Sequence, residues 1–326
     1  MGIVAAAGCS SDALDAPPPT IVPAEAAVSP PVTGTPAGAV RPLDGHAQAA
    51  VFDAATRSLV VLSPAPAGQS TVTVLTGTAT PRPVPLPSAA TAIAGDGEGA
   101  VYLSTRGGYF RVDIADGSTT RMDVEGRQDT DFTAIARRSD GRLVLGSVDG
   151  TVYTLDSDTT VGAEVKAFAR VDSIVTQGDV AVVLDRAQTS VTALDPSGTK
   201  VGQALRAGEG ATTIAADPQG RVLATDTRGG ALLVFSIDPL ILRQRYPVPD
   251  APYGVTGSPQ WTWVSQTAAN TVIGYDLATG IPVEKVRYRT VRQPDSLAFD
   301  DRTGTLYVVS GSGAGVQVIA DATVGP

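Results

Sequence analysis

One short apolar strand recurs along the chain and fixes what it can fold into. It reads SLVVLS at 58–63, AVYLST at 100–105, RLVLGS at 142–147, VAVVLD at 180–185, RVLATD at 221–226, WTWVSQ at 261–266 and TLYVVS at 305–310. Successive copies start 42, 42, 38, 41, 40 and 44 residues apart. Two other strands keep phase with it. A small apolar strand precedes each copy, as in TAIAGD (91–96), TTIAAD (212–217) and DSLAFD (295–300). A third strand follows, as in GTVYTLD (150–156) and NTVIGYD (270–276). The joining turns hold Asp and Gly, as at Asp140-Gly141 and Asp217-Pro218-Gln219-Gly220, residues suited to tight reversals. A more polar fourth strand ends the unit, for example PRPVPLP (81–87) and EKVRYRT (284–290). Four short strands in each unit match the period of a propeller blade. The pattern therefore predicts an all-β fold: a seven-bladed β-propeller with four-stranded antiparallel blades over residues 42–326.

The seventh unit is incomplete. After Asp321 only Ala322-Thr323-Val324-Gly325-Pro326 remain, too few for a fourth strand, while the first unit has all four. The stretch Gly38-Ala39-Val40-Arg41-Pro42-Leu43 is placed to supply the missing strand and close the ring. Closure by the other terminus removes an open seam, and Pro42 is compatible with it because an edge strand tolerates proline.

Composition agrees with this reading and excludes several functions. The 35 glycines and 24 prolines argue against a helical bundle, since each interrupts a helix. There is one histidine, His46, and one cysteine, Cys9. An internal disulfide, a Cys/His zinc cluster, a haem-attachment motif and a dithiol redox pair are thus excluded. The net charge of −9 gives no basic footprint for nucleic acid. No apolar run is long enough for a transmembrane helix.

The N-terminus reads Met1-Gly2-Ile3-Val4-Ala5-Ala6-Ala7-Gly8-Cys9-Ser10-Ser11. Small residues before a cysteine resemble the bacterial lipobox, here Ala6-Ala7-Gly8-Cys9. That resemblance implies lipidation of Cys9 after cleavage of a leader, with 1–8 its remnant. Secretory leaders are longer and begin with basic residues, so the true start is expected upstream. Residues 9–41 carry Pro17, Pro18, Pro19, Pro23, Pro30, Pro31 and Pro36 and no aromatic. Such a stretch buries little apolar surface and reads as a disordered Pro/Ala-rich tether. The combination predicts a cell-membrane lipoprotein facing the extracytoplasmic, periplasmic side, with a monomeric head.

The repeat also resembles a known family. Leu306-Tyr307-Val308-Val309-Ser310 and Val316-Gln317-Val318-Ile319-Ala320-Asp321 are similar to the YVTN-type β-propeller repeat, named for its tyrosine-valine-threonine-asparagine strand. The proline-led strands after Pro252 and Pro294 are similar as well. Units three to five match by pattern rather than by those letters. The resemblance implies the fold and little about activity, because propellers host many functions.

Two regions are candidate sites. Propeller ligands usually sit at one end of the central channel, near the start of each inner strand. Aligned inner strands place Ala49, Thr91, Thr133, Asp172, Thr212, Tyr253 and Asp295 at one ring position. Their oxygens suit a polyol, a sugar or a hard cation; the plainer alternative is that they satisfy loop backbone at strand starts. Asp172 and Asp295 are the one carboxylate pair nominated for acid–base work. The second region is an aromatic and basic stretch holding Trp261 and Trp263 with Arg243, Arg245, Lys285, Arg287 and Arg289. On an extended strand Lys285, Arg287 and Arg289 share one face and Val286 and Tyr288 the other. These cations are expected to form a basic patch for an envelope protein or an anionic envelope component, or else to be a solvated edge that discourages strand pairing.

His46 has no partner in sequence and no G-x-S-x-G elbow is present, so a Ser-His-Asp triad has little to stand on. The expectation is a binding or protein-interaction scaffold rather than an enzyme, with no metal or cofactor. Two alternatives stand beside it. One is a lactonase-like or quinoprotein-like propeller enzyme acting on a small carbohydrate-type substrate. The other is an accessory subunit of an envelope membrane complex.

Overall fold

The computed structural model describes residues 19–325. Cys9 and the lipobox lie outside the described residues. Seven four-stranded sheets form, and every strand pair within them is antiparallel. The inner strands of blades 1 to 7 are Ala49–Asp53, Ala92–Gly95, Phe132–Arg137, Ser173–Gln177, Ala211–Ala216, Pro252–Gly257 and Pro294–Asp300. The repeated apolar strand is the second of each blade, within a residue or two of the expected bounds.

Its near-continuous apolar character has a direct cause. The second strands Leu143–Ser147, Val222–Asp226 and Thr262–Gln266 are buried along their whole length, because both faces meet a neighbouring blade. The core is accordingly seven slabs, one between each pair of adjacent blades. The slab between blades 6 and 7 is built around Trp263, which stacks on Tyr288 and Phe299 at ring distances of 6.4 and 5.9 Å. A side chain at Gly274 would press on the Trp263 ring, at 2.9 Å from its nearest atom.

The ring closes as expected. Strand Ala39–Arg41 pairs with Val316–Ile319 and becomes the outer strand of blade 7. The propeller thus begins at Ala39, three residues before the expected boundary at 42. Phe52 and Tyr307 stack across the blade 7 to blade 1 joint at 5.5 Å.

In each blade the turn from second to third strand, and the loop from the outer strand to the next inner strand, fall on the same face. This is the mouth face. On blades 4 and 5 a buried carboxylate ends the second strand and ties these loops together. Asp185 accepts from the backbone N–H groups of Ala169, Arg170 and Gln188, and Asp226 from those of Glu209, Gly210 and Gly229. Gly208 and Gly229 leave room for Asp226; a Cβ on either would fall about 2 Å from the carboxylate.

Candidate functional site

The inner strands enclose a central channel of about 530 Å³. Its walls are mainly small and aliphatic, and Asp295 is the one charged side chain among its lining residues. The ring positions do not act together. Thr91 gives its hydroxyl to Phe132 O at 2.6 Å, and Thr133 gives its hydroxyl to Val171 O at 2.5 Å. Each bond crosses to the next blade. Thr225 to Tyr253 O and Ser265 to Pro294 O continue the same stitching. The Thr212 hydroxyl is buried and meets Thr225 and Thr227. Thr91 and Thr133 therefore serve the joints between blades, as backbone satisfaction at strand starts would have it, while Thr212 bonds within its own blade.

Asp172 is committed in a similar way. Oδ1 accepts from Arg170 Nε at 3.0 Å and Oδ2 from the Arg186 backbone N–H at 2.8 Å. Burial pushes its carboxyl up, and these donors pull against that. Asp295 has one side-chain donor, Gln293 Nε2 at 2.9 Å, and burial pushes it up to about 6. Burial also raises the Tyr253 phenol, whose charged surroundings are Arg186, Asp295 and Glu25. Asp295 and Tyr253 thus share one sector of the mouth, on blades 6 and 7.

What covers that sector was not foreseen. Residues 19–38 have no helix and no strand, as expected of a tether, yet they are laid across the mouth face from blade 4 to blade 7. Ile21 N–H donates to Ala187 O at 2.8 Å. Arg228 donates to Val22 O at 2.7 Å and Arg186 donates to Ala24 O. Gln293 donates to Ala27 O at 3.0 Å, Arg292 to Ser29 O at 3.2 Å and Asn270 to Pro30 O at 2.9 Å. Ser29 is buried; its hydroxyl donates to Thr267 O at 2.6 Å and its N–H to Gln293 Oε1 at 2.9 Å. An extended Pro/Ala-rich chain cannot satisfy its own carbonyls, so side-chain donors on the head can hold it. Those donors are single residues on loops of four blades, with no local pattern to reveal them.

The basic and aromatic region is reorganised by the fold. Trp263 is fully buried and its indole N–H reaches Ser258 Oγ at 3.3 Å. Trp261 packs on the same slab. The Trp263 ring is not offered to a partner, because it fills the joint between blades 6 and 7, and Trp261 is half-buried against it. The alternation on strand Val283–Arg289 is as expected, with Lys285, Arg287 and Arg289 exposed and Val286 and Tyr288 buried. One joint basic patch does not form. Gln244 and Tyr246 are the side of their strand that meets blade 6, so Arg245 points away from the cations on blade 6. Arg243 sits at a bulge and binds Ser236. Lys285 pairs with Asp276 at 3.4 Å, and Arg287 pairs with Glu284 and binds Gln266. His46 is exposed, with Nδ1 3.2 Å from Gly311 O.

No family model matches the chain, and no curated protein matches it in sequence. Solved structures resemble it in fold. Streptogramin B lyase superposes with a TM-score of 0.69 at 11% identity, covering 88% of this chain and 97% of that one. A chain of the mitotic checkpoint complex gives 0.72 at 12% identity, over 92% and 99%. A catalytically inactive histidine-to-alanine variant of virginiamycin B lyase from Staphylococcus aureus, with quinupristin, gives 0.68 at 12% identity, over 86% and 97%. At such identities the likeness speaks for the propeller fold alone.

Proposed function

We propose that the protein is an extracytoplasmic lipoprotein, anchored through Cys9, whose propeller is a binding scaffold that works through the mouth face of blades 4 to 7. One observation carries this reading: Arg186, Arg228, Asn270, Arg292 and Gln293 turn their donors onto one strip of the mouth face. Such an array recognises acceptors along a chain and offers no nucleophile. The hydroxyls of Thr91 and Thr133 and the carboxylate of Asp172 are already used within the fold, which favours binding over catalysis. The test is cross-linking in membranes, with a photoreactive side chain at Gln260 as the control and at Ala268, on the mouth face, as the probe. A partner captured from position 268 and not from 260 supports the reading. Equal or no capture from position 268 overturns it.

A second reading, a propeller lyase, has the fold likeness to streptogramin and virginiamycin B lyases behind it. In this chain a histidine-dependent reaction would have to use exposed His46. Incubation with quinupristin, followed by chromatography, separates the two. Conversion of quinupristin abolished by His46→Ala would favour the lyase.

A further inference from the structure

We infer that the mouth groove of blades 4 to 7 is a site for an extended, Pro/Ala-rich peptide segment of a partner protein, held in the free protein by residues 21–30 of its own chain. The inference rests on the scaffold reading and names its ligand class.

The groove reads backbone. Five side-chain donors take the carbonyls of Val22, Ala24, Ala27, Ser29 and Pro30. The side chains of Val22 and Val28 are 81% and 83% exposed, so the groove makes no demand on them. Only two positions are read closely. Ala24 is buried, and its methyl lies where a side chain on Gly210 would come within 2.9 Å of it. There is room for a small residue and no more. Ser29, five residues on, is buried and gives and accepts hydrogen bonds with Thr267 and Gln293. A ligand is therefore an extended chain with a small residue and a serine five positions apart. Proline suits the other positions, because it fixes an extended backbone and needs no N–H acceptor.

The groove also has unused capacity. Arg186 donates to Ala24 O, yet its buried Nε has no acceptor among the described residues. A chain carrying one more acceptor there would be held better than residues 21–30 are. Such an imperfect internal occupant suits displacement. An attached segment competes at an effective concentration on the order of millimolar, so a partner peptide binds the free groove far more tightly than the filled one.

The test uses the full chain and a fluorescent synthetic peptide of residues 19–31, followed by anisotropy. Ala24→Glu places a long side chain against Gly210 and frees the internal segment; faster amide exchange over 21–30 reports the release, and the melting temperature reports the head. The peptide should bind Ala24→Glu at least tenfold more tightly than wild type. Adding Arg228→Ala and Gln293→Ala should weaken it at least tenfold again. A Ser29→Pro chain, which loses both the N–H and the hydroxyl, should behave as Ala24→Glu does. Equal peptide binding by wild type and both released variants overturns the inference, as does unchanged exchange in both. Concentration-dependent dimerisation of wild type would assign the groove to a second copy instead. None of these results depends on capture from position 268, so the scaffold reading stands or falls separately.

Discussion

Asp295 is the residue whose setting conflicts most with its chemistry. Its carboxyl faces a mainly apolar channel, and burial lifts it to about 6 from the usual 3.8. Folding therefore favours the protonated acid. The stability this confers is complete below about pH 4 and is lost as pH rises through the folded value. Asp295→Asn keeps the acceptor for Gln293 and removes the charge. It should raise stability at pH 7.5 by up to about 3 kcal/mol and change little at pH 4. Urea titrations of both proteins at the two pH values check this, and equal gains at both would refute it. Asp226 is the opposite case, since its carboxylate is fully used. Asp226→Ala leaves three backbone N–H groups without their acceptor and should cost about 2–4 kcal/mol. An unchanged denaturation midpoint would show that the loops do not need it. The ring of equivalent positions was legible from the repeat. That its threonines satisfy backbone was the plainer reading there; which backbone was not legible, because the acceptors of Thr91 and Thr133 lie about 40 residues on, in the next blade.

At the scale of strands and blades, periodicity carried most of the information. A strand buried on both faces needs apolar residues throughout, so the second strands were unmistakable in sequence. Outer strands touch solvent, vary in composition, and are the elements least visible before the fold is known. The closing strand is an outer strand supplied from the far side of the repeats, Ala39–Arg41 pairing with Val316–Ile319. Gly38 makes the turn into that strand with φ of +68°, and a Cβ there would meet Val318 O at 2.2 Å. Gly38→Val should unseat the strand and lower the melting temperature by several degrees, on the order of 1–3 kcal/mol. Melting unchanged from wild type would mean that Ala39–Arg41 does not hold the ring. Trp263→Ala, which empties the slab between blades 6 and 7, should cost about 3–5 kcal/mol. Charge reversal at Arg287 should cost little by comparison, because its partner Glu284 is solvent-exposed.

The whole molecule joins two features that looked independent in sequence, a proline-rich tether and a ring of blades. A lipid anchor at Cys9 with a free tether to Ala39 would let the head travel about 93 Å from the membrane, at about 3.1 Å per residue. With the chain held on the mouth face from Ile21 onward, the proposed anchor would leave the stretch from Cys9 to Ile21 to span the gap, about 37 Å by the same measure. Under the proposed anchoring at Cys9, a chain that leaves the head from the mouth face would keep that face near the bilayer. On that proposal a partner peptide entering the groove would have to come from a membrane-proximal segment, and its arrival would release the tether. Neutron reflectivity of the lipidated protein on a supported bilayer reads this directly. Wild type should hold its head within about 40 Å of the surface. Ala24→Glu should spread the head over heights up to about 90 Å, while Cys9→Ser should leave the bilayer bare. If wild type and Ala24→Glu gave the same height profile, the internal segment would not be setting the distance, and coupling between peptide capture and reach would be excluded.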